Sequence, residues 1–297
     1  MGNAFIKIFL ERRDKFNQSC EERLKTWEFP KGIKEYSNIP YAEDNKPEHR
    51  MDIYRPDNQD GQVLPVIINV HGGGMILGSK EFNRYFCAEV CKHGFLIFSI
   101  EYSLVPEVQV YTQFGELSLA MDKIEEMLPQ YGGDKEHVYV VADSAGAYIS
   151  TYTVAMQRSK ALADAAGVKP SALNINALGL ISGMFYTTRF DEIGLFMPKY
   201  LYGEKYKKSA FAPYINPEHR DIVTSLPPCY LITSRNDNLR HYTLDFEKAL
   251  SRHQMPHELL YYEEKNSRLT HAFSVFEPFM EESGDAISKL VQFLKKY

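Results

Sequence analysis

Residues 138–150, VYVVADSAGAYIS, constrain this chain more than any other segment, because they put one serine at the junction of a strand and a helix. Val138 to Val141 is a β-branched and aromatic run suited to a buried strand. The stretch that follows has the length and composition of one helix over Ala145–Ala166, ending at Gly167. Ser144 falls in the tight turn between them, where small neighbours let its hydroxyl stand clear of the backbone. The pentapeptide Ala142-Asp143-Ser144-Ala145-Gly146 follows the nucleophile-elbow pattern G-x-S-x-G, with alanine in place of the first glycine.

A strand–turn–helix of this kind needs a sheet to sit in, and the rest of the chain supplies one. From residue 50 onward strand-like and helix-like segments alternate. Strands are expected at Met51–Tyr54, Val63–Val70, Phe95–Glu101, His137–Val141, Ile175–Ile181, Pro228–Ser234 and His257–Glu263. Helices are expected near Glu81–His93, Phe114–Leu128, Ala145–Ala166, His241–His253 and Glu277–Lys296. Strands separated by helices of this length predict an α/β fold with a mostly parallel sheet covered on both faces. Two stretches break the alternation. Residues 1–45 read as a helix plus an irregular lead-in, and residues 184–226 are rich in Phe, Tyr, Pro and Lys without sheet-like runs. Nothing marks a two-domain split, so residues 1–297 are expected to form a single domain with these two stretches as additions. In such sheets the ligand site lies beyond the carboxyl ends of the strands, where additions of this kind make a cap.

Charge and composition remove several function classes. With 34 basic and 39 acidic residues and a net charge of −5, the chain has no basic run that would track a polyanion, so no nucleic-acid partner is expected. No apolar stretch approaches the roughly 18–20 residues that span a bilayer, so no membrane partner is expected either. The opening MGNAFIKIFL has too short an apolar run and no preceding basic region for a secretion signal, and Ile6 stands where myristoylation of Gly2 would want Ser or Thr. It reads as an amphipathic helix, which leaves the cytoplasm as the expected location. Cys87, Cys91 and His93 have no second Cys/His cluster with which to complete a metal site, so the thiols read as small buried side chains.

The residues that carry chemistry come in a definite order. Val63–Val70 runs directly into His71-Gly72-Gly73-Gly74, where backbone N–H groups unscreened by side chains are available to an anion. This is the HGGG-type pattern. A serine nucleophile needs a base, and the base needs a carboxylate to orient it. Asp237 follows the strand Pro228–Ser234, and His271 follows His257–Glu263, which puts both in loops on the same sheet edge as Ser144. The order Ser, Asp, His is the one this fold uses. His241, His253 and His257 begin or end regular elements and are less well placed.

Taken together, HGGGMILGS (71–79), EYSLVPE (101–107), YGGDKEHVYVVADSAG (131–146), LPPCYLITSRNDNLR (226–240) and THAF (270–273) resemble the α/β-hydrolases of the hormone-sensitive-lipase-like carboxylesterase family. The resemblance runs over roughly residues 50–275 and implies Ser144 as nucleophile, His271 as base and Asp237 as its partner. It also implies an oxyanion hole from the backbone N–H groups of Gly73, Gly74 and Ala145, and a helical cap built from about 1–45 and 184–226. The chain departs from the family pattern at Ala142, Met75 and Ala147. The activity implied is hydrolysis of small carboxylic esters of short acyl chain through an acyl-enzyme, without metal or organic cofactor. The same residues would serve an amide or lactone, and the fold also makes non-catalytic receptors when a triad member is lost. Phe185, Tyr186, Phe190, Phe196, Met197, Tyr200 and Tyr202 would either line the substrate pocket or form the core of the cap. Oligomeric state is not legible.

Overall fold

The computed structural model of the chain describes residues 2–59, 61–264 and 266–297. Eight strands form one sheet: β1 (Ile33–Pro40), β2 (Arg50–Pro56), β3 (Leu64–Val70), β4 (Leu96–Ile100), β5 (Gly133–Asp143), β6 (Ala177–Ile181), β7 (Cys229–Ser234) and β8 (His257–Tyr262). Their order across the sheet is β1-β2-β4-β3-β5-β6-β7-β8. Only β2 runs against its neighbours, pairing antiparallel with both β1 and β4, while β3 through β8 are joined in parallel. Strands β3, β4, β6 and β7 are apolar runs buried along nearly their whole length, as a sheet covered on both faces demands.

The expected α/β fold is the one observed, and the seven expected strands are all present. Three details differ. The lead-in expected to be irregular contains β1, an edge strand paired on one side only. Its sequence, IKEYSNIP, leaves three central residues exposed and so carries no apolar alternation to read. The helix expected over Ala145–Ala166 is two, Ser144–Met156 and Lys160–Ala166. Ser159 caps the second by accepting the Leu162 N–H at 3.3 Å, a capping serine hidden inside a composition that reads as continuous helix. The last helix, expected near Glu277–Lys296, runs over Glu281–Leu294, with a separate short helix at Phe273–Phe276 before it.

Connection direction locates the site. Chain order moves one way from β3 to β4 and the other way from β3 to β5, so the crevice beyond the carboxyl ends of β3 and β5 is a topological switch point. His71–Gly74 leave the end of β3 there, and Ser144 leaves the end of β5.

Residues 184–226 contain no strand. They carry the short helices Glu192–Phe196, Pro198–Tyr202 and Arg220–Val223, with 3₁₀ turns at Tyr206–Lys208 and Ala212–Ile215. Buried aromatics fasten this stretch to the helix that follows Ser144. Tyr148 Oη lies 2.6 Å from Tyr202 Oη, which in turn lies 2.6 Å from Thr187 Oγ1. Tyr152 donates to Tyr214 O at 2.7 Å, and the buried Phe211 ring packs on Tyr111, Phe114 and Tyr152. Burying one such ring contributes roughly 1.5–3 kcal/mol. No described helix is long and apolar enough to cross a membrane.

Candidate active site

The turn after β5 is sharp because Ser144 adopts φ = 48°, a left-handed conformation rare for a residue with a side chain. The residue two further on has to be glycine. A Cβ on Gly146 would meet the Val70 and His71 carbonyl oxygens at 2.2 and 2.5 Å, so the helix can cross β3 this closely only without one. Ala142, at the other end of the motif, is buried within β5 between Val70 and Leu180, and its methyl group is accommodated there.

Three side chains from three loops meet at this turn. His271 Nε2 lies 2.8 Å from Ser144 Oγ, and His271 Nδ1 lies 2.7 Å from Asp237 Oδ1. Asp237 is buried and fully engaged: Oδ1 also accepts the Leu239 N–H at 2.8 Å, and Oδ2 accepts the Thr233 hydroxyl at 2.8 Å. Burial alone would raise its pKa. The hydrogen bond and charge of His271, with the Leu239 and Ser182 donors, outweigh that and hold the carboxyl below its ordinary range. Asp237 is therefore a fixed anion beside the imidazole. His271 itself is set by its neighbour, since Ala272 takes φ = 50° and donates its N–H to Ser182 Oγ at 3.0 Å.

The glycine loop lies opposite. Gly73 has φ = 117°, and a Cβ on it would stand 1.9 Å from the Leu77 carbonyl oxygen, so no other residue fits. Gly73 and Gly74 line the same cavity as Ser144 and His271. Ala145 is the second residue of the helix that opens at Ser144, so its N–H is among the first-turn donors a helix leaves without an internal partner. The Gly72 N–H is committed elsewhere, donating to Asp143 Oδ1 at 3.1 Å, and Asn83 Nδ2 donates to the same oxygen at 2.8 Å. Burial raises the Asp143 carboxyl, against the opposing pull of the Asn83 hydrogen bond and the charges of His71 and His271.

His71 anchors the loop from below. Its Nδ1 lies 2.7 Å from Gly72 O and its Nε2 2.9 Å from Glu101 Oε1, while the ring stacks on Tyr102 at 4.2 Å. Both ring nitrogens face acceptors, so the arrangement is satisfied when both carry protons. Burial works against that charge, but Glu101 and the Gly72 carbonyl outweigh it and the pKa is raised. A raised histidine contributes stability that is fully present below its unfolded value, about 6.5, and is lost as pH rises through the folded value. The stability difference between the parent and Glu101→Gln is therefore expected to be largest at acid pH and to shrink as pH rises. Thermal midpoints of both proteins between pH 5 and 9 test this; a difference independent of pH would contradict it.

The cavity in front of Ser144 has a volume of about 530 Å³, within the ordinary range for small-molecule sites. Of the cap aromatics singled out in the sequence, Phe196 lines it, as does Met197. The others do not. Phe185 stacks on Phe246, Tyr186 packs edge-on to Tyr242, Tyr202 joins the buried tyrosine chain, and Phe190 is 95% exposed. Much of the remaining wall was not anticipated: Phe16, Ile76, Leu77, Met184, Ile193, Leu239 and Phe276. Phe16 lies within the helix Gly2–Leu24 and the others in loops and short helices, and only their tertiary placement makes them a wall. Cys87 and Cys91 are buried in the helix Arg84–Cys91, and burial raises both thiols.

Comparison with known proteins agrees with this architecture. A family model described as alpha/beta hydrolase fold matches residues 67–274. A probable isoprenylcysteine alpha-carbonyl methylesterase of Arabidopsis thaliana is 27% identical over 203 residues, covering 65% of this chain and 42% of that protein. The chain spans less than half the length of this relative. Among solved structures, esterase B of Lactobacillus rhamnosis superimposes with a TM-score of 0.92 at 20% identity, over 99% of this chain and 96% of that one. It has also been solved inhibited by a tributyrin phosphonate. An esterase of Pyrobaculum calidifontis gives a TM-score of 0.74 at 23% identity, over 97% and 92% of the two chains. With the family match extending over well more than half of its length, the chain belongs to the α/β-hydrolase fold family, in its hormone-sensitive-lipase-like branch.

Proposed function

We propose that this protein is a serine carboxylesterase acting on small, uncharged esters of short acyl chain. The observation that carries the reading is the unbroken hydrogen-bond chain from Asp237 through His271 to Ser144, opening on an apolar cavity. Relatives named as esterases point the same way.

In this mechanism His271 Nε2 takes the proton of Ser144 as Oγ attacks the ester carbonyl carbon. The oxygen that becomes negative is held by the N–H groups of Gly73, Gly74 and Ala145. Asp237 keeps the His271 Nδ1 proton in place and stabilises the imidazolium. As the tetrahedral intermediate collapses, the bond to the alcohol oxygen breaks and His271 Nε2 returns its proton to that oxygen. Water then enters, and its oxygen bonds to the acyl carbon as His271 Nε2 removes one of its protons. On collapse of this second tetrahedral intermediate the acyl–Oγ bond breaks, with the proton going back to Ser144. The acid leaves and the starting state is restored. The cap over this cavity comes from residues 184–226 and from the N-terminal stretch less its strand β1. Phe16 on one side, with Ile193, Phe196 and Met197 on the other, supports that assignment.

A preference for short acyl chains is what the family resemblance implies. Each buried methylene contributes roughly 0.8 kcal/mol while space remains, so kcat/KM should climb over the first few acyl carbons and then fall. The expected optimum lies at about two to six acyl carbons, after which added methylenes gain no further burial. A nitrophenyl ester series measures it. A maximum at about twelve carbons or more would sink the short-chain assignment.

A further inference from the structure

The N-terminal helix Gly2–Leu24 lies outside the segment that matches the family, yet it reaches the glycine loop through one side chain. Arg13 Nε donates to Ile76 O at 2.6 Å and Arg13 Nη2 to Val105 O at 2.8 Å. Nη1 and Nη2 also grip Glu107 Oε1 and Oε2 at 2.9 and 3.0 Å. The guanidinium fork thus joins three segments at once, a geometry that lysine cannot reproduce. The Arg13 side chain is 15% exposed and that of Glu107 53%. An ion pair with so exposed a partner contributes little by itself, so the weight falls on the two carbonyl contacts.

Those carbonyls belong to the loop and its brace. Ile76 follows Gly73-Gly74-Met75, and its own N–H closes the turn by donating to Gly73 O at 3.1 Å. Val105 donates its N–H to Met75 O at 2.9 Å. Met75 holds φ = 68°, a conformation its side chain disfavours, and residues 71–78 include four glycines. A loop of this composition keeps one shape only if something outside it holds it. Phe16, one helical turn beyond Arg13, lines the cavity, so the helix face that clamps the loop also supplies a wall.

We propose that Arg13 is a positioning residue for the oxyanion-binding loop: by tying the N-terminal helix to Ile76 and Val105, it holds Gly73 and Gly74 where the reaction needs them. This rests on the esterase reading above. The test titrates active sites with a p-nitrophenyl alkylphosphonate, then measures turnover of p-nitrophenyl butyrate per titrated site. Wild-type protein labelled to one equivalent establishes the esterase reading first; a wild type that takes no label overturns both. For Arg13→Met the expected result is a near-complete titre, a kcat per site lowered by roughly 10- to 100-fold, and a smaller change in KM. Arg13→Lys, which keeps the charge and reaches one acceptor, should fall between the two, and it carries the test if Arg13→Met does not fold. Phe16→Ala, which removes wall and leaves the clamp, should instead raise KM. A lowered titre with wild-type turnover per site would mean that Arg13 only maintains the fold, and wild-type kcat in both Arg13 variants would end the proposal.

Discussion

Ser144→Ala is expected to fold like the parent and to lose about 10⁶-fold in kcat on a short-chain nitrophenyl ester. Stability should change little, because alanine meets the same backbone requirement at φ = 48° as serine does, and the loss is one hydrogen bond to a partly exposed imidazole. That bond is worth about 1 kcal/mol. Chemistry suffers far more, since in the proposed mechanism Oγ forms the acyl bond and gives its proton to His271 Nε2, which it faces at 2.8 Å. Any rate that remains would come from water attacking an ester held by the glycine loop. The check is a pair of measurements on one preparation, steady-state kcat and mass after phosphonate treatment. The parent should gain one adduct and the variant none. A variant that keeps more than about a hundredth of the parent rate would move the nucleophile to another side chain.

Asp237 separates two contributions that are usually lost together. Asp237→Ala is expected to lower kcat by about 10⁴-fold, because it removes both the charge and the group that orients His271. It also leaves the Leu239 N–H and the Thr233 hydroxyl without their acceptor, at a cost of about 1–3 kcal/mol. Rates should therefore be compared well below the unfolding temperature. Asp237→Asn should be measurably faster than Asp237→Ala. The Leu239 N–H selects the amide oxygen at the Oδ1 position, and the Thr233 hydroxyl can rotate to accept from the amide nitrogen. The imidazole then keeps its Nδ1 proton and loses only the stabilising charge. An asparagine variant as slow as the alanine one would show that the amide turns the other way and fixes the wrong tautomer.

Much of this arrangement could be read in advance wherever residue type and sequence position decide geometry. The elbow around Ser144 was legible because a buried strand, small residues and a helix leave only one way to turn. Asp237 and His271 were legible because each follows a strand that must end on the same edge. Strand β1 was not, since an edge strand with polar, exposed residues carries no alternation. The break at Ser159 was hidden by good helix formers on both sides. Arg13 reaches Ile76 from 63 residues away, Glu101 reaches His71 from 30, and Asn83 reaches Asp143, which holds the Gly72 N–H, from 60, and such separations hide the contacts from any local reading. The cavity wall was harder still, because Phe16, Leu239 and Phe276 share no pattern and become neighbours only through the sheet.

Two of the short helices of the 184–226 stretch are held very differently, and that bears on how the substrate range of the proposed esterase can change. Pro198–Tyr202 is locked to the helix Ser144–Met156 through Tyr202 and Tyr148, with Thr187 bonded to the same Tyr202 hydroxyl. Glu192–Phe196 buries none of its five residues, yet lends Ile193 and Phe196 to the cavity. Drift in sequence at 192, 193, 195 and 196 can therefore reshape what enters without unsettling the frame around Ser144, whereas drift at 198–202 would be felt there. A saturation library at 192, 193, 195 and 196 would sample new selectivities at little cost in foldable clones, whereas Gly194 must stay, since a Cβ there would stand 1.8 Å from the Arg189 carbonyl oxygen. A wholesale exchange of the stretch between relatives would succeed only when the tyrosines of the helix Ser144–Met156 travel with it.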